Sequence, residues 1–371
     1  MNTLLLVNET ISPNQGVSKK ILSQFDALKK ISGESHICYI KKLNDSYVRV
    51  IDDDKVISKN YSSKYMHLFI YKSMFDFIDI NNIDLVYIRY SHFANPFFLR
   101  FLKKLKAKGI ITLIEIPTFP YDVEYRDRGF LPKIKLTMDK IFRRDLRRYV
   151  SNVVTFTNED AIFGIDTIRI SNAISICKFD NSKKQQRNKN ELKLLAVANL
   201  GKWHGYDRLI KTLGSFYAKN SNEIKVYFHL VGDGPELSYY KTLVSEFNIE
   251  EYVIFYGELD GDELVSLYHY CDIGVDSLGR HRTGNIDNNS LKSKEYFSYG
   301  LPIIKSHKDS FIDGTKFDDV CLNIQSDESL FDIDEVIKWY DQLTVTTEEI
   351  SIRANKEFSW EKQLSKCMWN K

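Results

Sequence analysis

The sequence predicts an α/β protein built from two parallel-sheet, Rossmann-like domains. Three observations carry this. Short apolar runs bounded by turn residues alternate with amphipathic helical stretches along the chain, the pattern of repeated βαβ units. The alternation is interrupted at Asn181–Asn190, a lysine- and asparagine-rich stretch without an apolar residue that reads as an interdomain linker. A length of 371 residues suits two domains of ordinary size, each able to bury its own core.

The first domain spans residues 1–172. Thr3–Val7 is its first strand, too short an apolar run for a signal peptide. A polar loop, Asn8–Gly16, leads into a helix with Val17, Ile21, Leu22, Phe25 and Leu28 on one face. Gly16 at the start of that helix lets backbone approach a phosphate. His36–Ile40 and Tyr47–Ile57 read as strands, the second turning at Asp52-Asp53-Asp54. Those acids read as solvated turn residues in preference to a metal site. Leu85–Tyr90 and Ile110–Ile116 are buried strands, and the loop after the latter carries Glu115, Asp122 and Glu124 near its carboxyl end. Lys133–Val150 has Ile134, Met138, Ile141, Phe142 and Tyr149 at helical spacing, surrounded by Lys133, Lys135, Lys140, Arg143, Arg144, Arg147 and Arg148. Two readings stand: a core-packed helix with a solvated basic face, or a helix lying on an anionic membrane leaflet.

The second domain spans residues 173–349. Leu194–Ile210 reads as strand, tight loop and helix; Val226–Glu236 as a strand, a glycine-rich turn and a helix begun by Pro235. Tyr252–Gly257 is a short strand, and Tyr268–Val275 a fourth, followed by the polar loop Ser277–Ser290. Ser290 is the expected N-cap of a helix that Gly300-Leu301-Pro302 stops before the next strand. The N–H groups opening such a helix attract an anion. Lys292 and Lys294 add positive charge there, and Glu295 lies about one turn in, able to accept from paired hydroxyls. A diphosphate beside a ribose suits this arrangement.

Composition sets outer limits. The net charge of +2 with 43% hydrophobic and 27% charged residues describes a globular chain and argues against a nucleic-acid binder. Five scattered cysteines, Cys38, Cys177, Cys271, Cys321 and Cys367, suggest neither a disulfide framework nor zinc, and fit a reducing cytoplasm. Eight histidines show no ligand spacing, so neither a metal nor another cofactor is expected. No run approaches the roughly 20 apolar residues of a spanning helix.

In order along the chain stand Val197-Ala-Asn-Leu200 with His204-Gly205, Val231-Gly-Asp-Gly-Pro235, Phe255-Tyr-Gly257, Asp287 with Glu295, and Gly300-Leu-Pro-Ile-Ile304. This set resembles the nucleotide-sugar half of family four of the retaining glycosyltransferases, which have the two-domain GT-B fold with a cleft. The family pattern is VGRL…KG, VGDGP, F-x-G, E-x7-E and GxPVI. Three departures are Asn199 for Arg, His204 for Lys, and Asp287 for the first Glu. The first two positions normally grip the donor phosphates.

The resemblance implies Asp287, Glu295 and Lys202 as the catalytic set. Glu295 would hold the ribose and Asp287 the sugar hydroxyls. Gly232 and Asp233 would shape the donor pocket and Tyr256 would lie near the base. Ser290, Leu291 and Lys292, with Lys202, would receive the diphosphate beside Asn199, His204 and Gly16. On the acceptor side Glu115 or Asp122 would bond a hydroxyl, and Arg89 one of these acids or an acceptor phosphate. Asn172-Ala-Ile174 resembles the hinge between domains. Phe358-Ser-Trp-Glu361 resembles the closing segment, so that 350–371 would pack back on the first domain with Trp360 as an anchor. The implied activity moves a sugar from a nucleoside-diphosphate donor, UDP favoured, to a saccharide or lipid-linked acceptor in bacterial surface-polysaccharide synthesis. The departing phosphate would take the acceptor's proton, without a dedicated base. The same fold also admits a sugar-nucleotide epimerase or a non-catalytic partner subunit.

Overall fold

The computed structural model describes residues 1–12, 16–53, 55–125, 129–175, 184, 188–219, 223–284 and 286–368. Most of the linker 181–190, Cys177, Asp54, the middle of the loop 8–16 and the side chain of Glu124 lie outside the described residues. The chain divides into two compact units, residues 1–171 with 360–371, and residues 172–359.

The first unit is a nine-stranded sheet. Its chain order is β1 (Thr3–Thr10), α1 (Gly16–Ile31), β2 (Ser35–Leu43), β3 (Ser46–Ile51), β4 (Lys55–Val56), α2 (Lys72–Ile80), β5 (Leu85–Arg89), α3 (Pro96–Ala107), β6 (Ile111–Ile116), α4 (Phe130–Phe142), β7 (Asn152–Thr155), β8 (Ala161–Ile162) and β9 (Ile165–Arg169). The spatial order is β4-β3-β2-β1-β5-β6-β7-β9-β8, with β2 to β9 of that order parallel and antiparallel strands at the edges. Asp52 and Asp53 take left-handed backbone in the β3–β4 turn, and Asp52 accepts from the Ile37 N–H at 2.9 Å. Among the described residues no group of three or more side chains could hold a metal ion.

Two helices depart from expectation. In α1 the buried face is Ser18, Ile21, Gln24 and Leu28, while Val17 is exposed. Gln24 turns inward because its amide donates to Glu115 Oε2 at 2.7 Å. The expected single helix 133–150 ends at Phe142 and continues as a 3₁₀ turn, Arg143–Arg148.

The second unit contains β10 (Glu191–Val197), α5 (Tyr206–Tyr217), β11 (Lys225–Val231), α6 (Leu237–Glu246), β12 (Val253–Gly257), α7 (Gly261–Tyr270), β13 (Ile273–Val275), α8 (Leu291–Ser298), β14 (Ile303–Lys305), β15 (Cys321–Asn323), α9 (Ile333–Asp341) and α10 (Thr347–Glu357). Its six strands are all parallel, in the order β12-β11-β10-β13-β14-β15. Apolar layers cover both faces, as a parallel sheet requires. Leu192, Leu194 and Ala196 of β10 enter the layer with Leu209, Leu213 and Phe228, and Leu195 enters the layer with Tyr296, Phe297 and Ile303. The expected strand Tyr268–Val275 shrinks to β13. Leu267 and Tyr268 are core residues of the last turn of α7, and Asp272, accepting from the Lys193 N–H at 2.8 Å, aligns β13 beside β10.

The closing segment also narrows. Only α11 (Trp360–Met368) groups with the first unit, against α1. Lys30 pairs with Glu361 at 2.7 Å, Gln363 Oε1 accepts from the Ser171 N–H at 2.9 Å, and buried Trp360 lies edge-on to Phe156. Residues 350–359 belong to the second unit, because Ile350, Ala354 and Phe358 are buried in its core beside Phe297 and Phe317.

Candidate active site at the carboxyl edge of the second sheet

Because the six strands are parallel, the loops after them gather on one edge. Backbone bonds lock them together: Leu200 N–H to Asp233 O at 2.8 Å, Gly232 N–H to Gly257 O at 2.6 Å, and Leu278 N–H to His204 O at 2.7 Å. The approach is close enough to require glycine at two points. Gly232 has φ of +123°, and a Cβ there would stand 1.8 Å from the Ala198 carbonyl oxygen. Gly205 has φ of +64°, and its Cβ would stand 2.5 Å from the Gly279 nitrogen.

Two arginines brace the loop 278–284. Arg282 grips Asp207 bidentately at 2.8 and 2.9 Å and pairs with Glu328 at 2.6 Å. Buried Arg208 donates to the carbonyls of Leu278, Gln325 and Ser329. Both guanidinium groups are thereby fully engaged by protein.

At the centre lies Asp276, the residue after β13, fully buried. It accepts from Ser293 Oγ, and its Oδ1 and Oδ2 face Lys292 Nζ at 3.7 Å and His307 Nε2 at 3.9 Å. Burial alone would raise its carboxyl. Lys292, His307 and the hydroxyls of Ser290 and Ser293 outweigh that and hold it well below the usual carboxylate range. Lys292 is about one-fifth exposed and donates to Ser277 Oγ at 3.3 Å. Burial pushes its ammonium down to about 8 against the pull of Asp276. Arg280 lies within electrostatic reach of Asp276 and His204. It makes no side-chain hydrogen bond or ion pair to another described residue, and its buried Nε has no partner.

Ser290 is the N-cap residue of α8, yet its hydroxyl serves Asp276 and no side chain caps the helix. The opening N–H groups of α8 thus face the edge beside Lys292 and Arg280. With Asp276 ionised and His204 neutral, Lys292 and Arg280 face the carboxylates of Asp276 and Glu295, and the helix adds its partial positive end beside the two cations. Such an arrangement of helix N–H groups and cations can receive an anion such as a diphosphate.

Each expected donor residue has a definite place. Lys202 and Asn199 are exposed on the loop after β10, and Leu291 is the exposed first residue of α8. His204 is buried, accepts from the Gly201 N–H at 3.1 Å and stacks on Tyr206. Burial, with Lys292 and Arg280 adding to it, pushes its imidazole down to about 3, so it supplies no charge near neutrality. Lys294 does not add charge at the site either: it is fully buried and paired with buried Asp309 on the core side of α8. Asp287 is exposed and bridges to Lys308 through the backbone, and Glu295 is half-buried in α8. Asp233 is exposed, with Oδ1 accepting from the Gly234 N–H at 2.6 Å. Tyr256 turns its hydroxyl to His229 Nδ1 at 2.8 Å, in a groove of about 880 Å³ shared with Tyr227 and Tyr270. Asn172 of the expected hinge donates from its side chain to the Asn289 carbonyl at 2.7 Å, steadying the residue before Ser290.

On the first unit, Arg89 pairs with one of the expected acids, Glu115. Glu115 is fully buried, with Oε1 taken by Arg89 at 2.6 Å and Oε2 by Gln24 at 2.7 Å and Tyr87 at 2.8 Å. Burial would raise its carboxyl, but Arg89 and Lys20 pull it below its ordinary value. It organises the carboxyl ends of β5 and β6 and offers no open oxygen. Asp122 pairs with Arg143 at 2.7 Å and Lys140 at 3.2 Å. Gly16 opens α1, as expected of its position.

Sequence reasoning missed Asp276, Arg280, Ser293 and His307. The legible signal was positional: Asp276 and His307 each follow a short apolar run at a strand's carboxyl end. Arg280 had no signal, being a loop residue defined by what surrounds it.

Residues 178–313 match the family model described as glycosyl transferases group 1. No curated protein matches the sequence. Solved structures match over nearly the whole chain. Sucrose-phosphate synthase from Thermosynechococcus elongatus has 13% identity and a TM-score of 0.64, covering 99% of this chain and 98% of its own. A glycosyltransferase from Rickettsia africae has 15% identity and a TM-score of 0.63, with 99% and 96% covered. Anabaena HepE in complex with UDP has 13% identity and a TM-score of 0.59, with 99% of both chains covered. At such identities the likeness establishes the fold, two parallel-sheet α/β domains of the GT-B kind.

Proposed function

We propose that this protein is a retaining glycosyltransferase that moves a sugar from a nucleoside-diphosphate donor, UDP favoured, to a saccharide or lipid-linked acceptor of a bacterial surface polysaccharide. The observation that carries the reading is the uncapped N-terminus of α8 set beside Lys292 and Arg280, on the strand edge that also bears Glu295 and Asp287. The match of residues 178–313 to a glycosyltransferase family model and the UDP held by Anabaena HepE support the same direction.

Glycosyl transfer requires stabilising a departing diphosphate and an oxocarbenium-like sugar, and charge placed at the diphosphate is the largest contribution. Here Arg280 and Lys292 take the part that Arg and Lys at positions 199 and 204 play in the family pattern, with Lys202 at the rim. Asp276 keeps Lys292 aimed and charged near neutrality. Glu295 receives the ribose hydroxyls and Asp287 those of the sugar. The proposed reaction uses no metal, and the departing phosphate takes the acceptor's proton.

The test is donor hydrolysis by the purified protein. Slow release of UDP from a UDP-sugar, insensitive to EDTA and abolished by Glu295→Ala, supports the reading. Epimerised UDP-sugar without UDP release would assign the same site to an epimerase. Absence of UDP binding by calorimetry would leave a non-catalytic subunit and overturn the proposal.

A further inference from the structure

The amphipathic character of residues 130–142 comes out of the fold inverted. A helix packed by its apolar stripe would hide Ile134, Met138 and Ile141. Instead α4 is anchored by Leu136 and the buried carboxylate of Asp139, which accepts from Tyr90, from Tyr121 at 2.6 Å and from the Ala94 N–H at 2.8 Å. That anchor rotates the opposite stripe to the surface: Phe130 is 77% exposed, Leu131 73%, Ile134 45% and Ile141 65%. These positions follow at spacings of one, three and seven, one ridge along a helix roughly 20 Å long. Such a ridge on a described surface is the opposite of what a solvated helix presents.

The ridge is one wall of a groove. Tyr65, Leu68, Phe69 and Phe93 form the other, enclosing about 290 Å³ with Leu131, Ile134 and Met138. Exposed Lys133, Lys140 and Arg144 flank the ridge, and Lys64 stands beside Tyr65 at the far wall. An apolar ridge with cations along its margins matches the two layers of an anionic lipid surface, acyl chains beneath and phosphates at the boundary. A hydrophobic partner protein needs no such cationic margin.

We propose that α4, with the groove beside it, docks this protein on anionic membrane: Phe130, Leu131, Ile134 and Ile141 enter the acyl boundary while Lys133, Lys140 and Arg144 meet lipid phosphates. The surface belongs wholly to the first unit and is independent of the donor site of the second. Its failure and the failure of the glycosyltransferase reading are therefore separately readable.

The experiment is co-sedimentation of the full chain with vesicles of phosphatidylglycerol mixed with phosphatidylcholine, and with phosphatidylcholine alone. Binding to the anionic vesicles only is expected. The double variant L131S/I134S and the triple variant K133Q/K140Q/R144Q should each weaken it at least tenfold, the charge effect being about fivefold per cation removed. Both keep the wild-type unfolding midpoint and UDP affinity, which separates lost docking from lost folding. Equal binding to neutral vesicles, binding untouched by either variant, or no vesicle binding would overturn the proposal. So would a dimer in sedimentation velocity that L131S/I134S dissociates while vesicle binding is absent, since the ridge would then belong to a second copy.

Discussion

Replacing Lys292 by methionine separates the binding role of this site from its structural one. Lys292 Nζ lies 3.3 Å from Ser277 Oγ and 3.7 Å from Asp276 Oδ1, and its ammonium is pushed down from 10.5 to about 8 by burial. The downward direction means the folded protein without ligand holds this charge less favourably than water does, by on the order of 3 kcal/mol. Because the folded value lies below the unfolded one, the penalty is full below about pH 8 and fades as pH rises towards 10.5. Methionine removes the penalty together with the attraction to Asp276. Asp276 keeps its bonds from Ser293, Ser290 and the Ser277 N–H. That penalty is already net of the pull of Asp276, so the variant's unfolding free energy should not fall. A lost charge-assisted bond to a phosphate costs about 1.5–3 kcal/mol, so UDP affinity measured by calorimetry should fall roughly 10- to 150-fold. Wild-type affinity should also decline above about pH 8, and binding there should take up a proton, seen as a buffer-dependent enthalpy. If K292M lost stability in proportion to affinity, or bound UDP as well as wild type, the assignment of Lys292 to the diphosphate would be refuted.

Arg280→Gln should likewise weaken UDP binding about tenfold or more without lowering the unfolding midpoint, since its guanidinium has no described hydrogen-bond partner to lose; an equal drop in both readouts would make it structural. Gly232→Ala, whose Cβ would meet the Ala198 carbonyl oxygen at 1.8 Å, should destabilise by about 3 kcal/mol or more and abolish UDP binding, measured by denaturant melts and calorimetry. His204→Gln should reshape acid stability. With a folded value near 3 against an unfolded 6.5, the unfolded state binds the extra proton as pH falls from 6.5 towards 3, so wild type should lose up to about 1.4 kcal/mol per pH unit relative to the variant. Glu115→Gln leaves Arg89 and Lys20 without their buried carboxylate and should cost about 2–4 kcal/mol near neutral pH. Glu115 is held below its ordinary value, so its stabilisation is present above about pH 4.5 and the difference should shrink as pH falls below it.

The loops Val197–Leu200, Val231–Pro235 and Asp287–Glu295 were legible in the sequence because glycine, proline and a helix start impose local geometry that short-range rules describe. The strand alternation was legible for the same reason, and parallel pairing then dictates that these loops share an edge. Which charges those loops present was not legible. Lys294 and Lys292 are two residues apart on one helix, yet α8 turns the first into the core against Asp309 and leaves the second at the edge. His204 becomes neutral, and Arg280 becomes an available cation while its neighbour Arg282 is bound to Asp207.

The sequence by itself determined the α/β class and the set of loops that share one strand edge, because each follows from periodicity and from residues with few backbone options. Tertiary structure alone decided the charge at that edge, the burial of Glu115 and the outward ridge of α4. Those depend on which face of a helix or loop meets the core, and burial, charge and availability of a side chain are set by neighbours distant in the chain. Buried Asp139 fixes which face α4 turns outward, and buried Asp276 gathers Lys292, Ser290 and Ser293 at the edge.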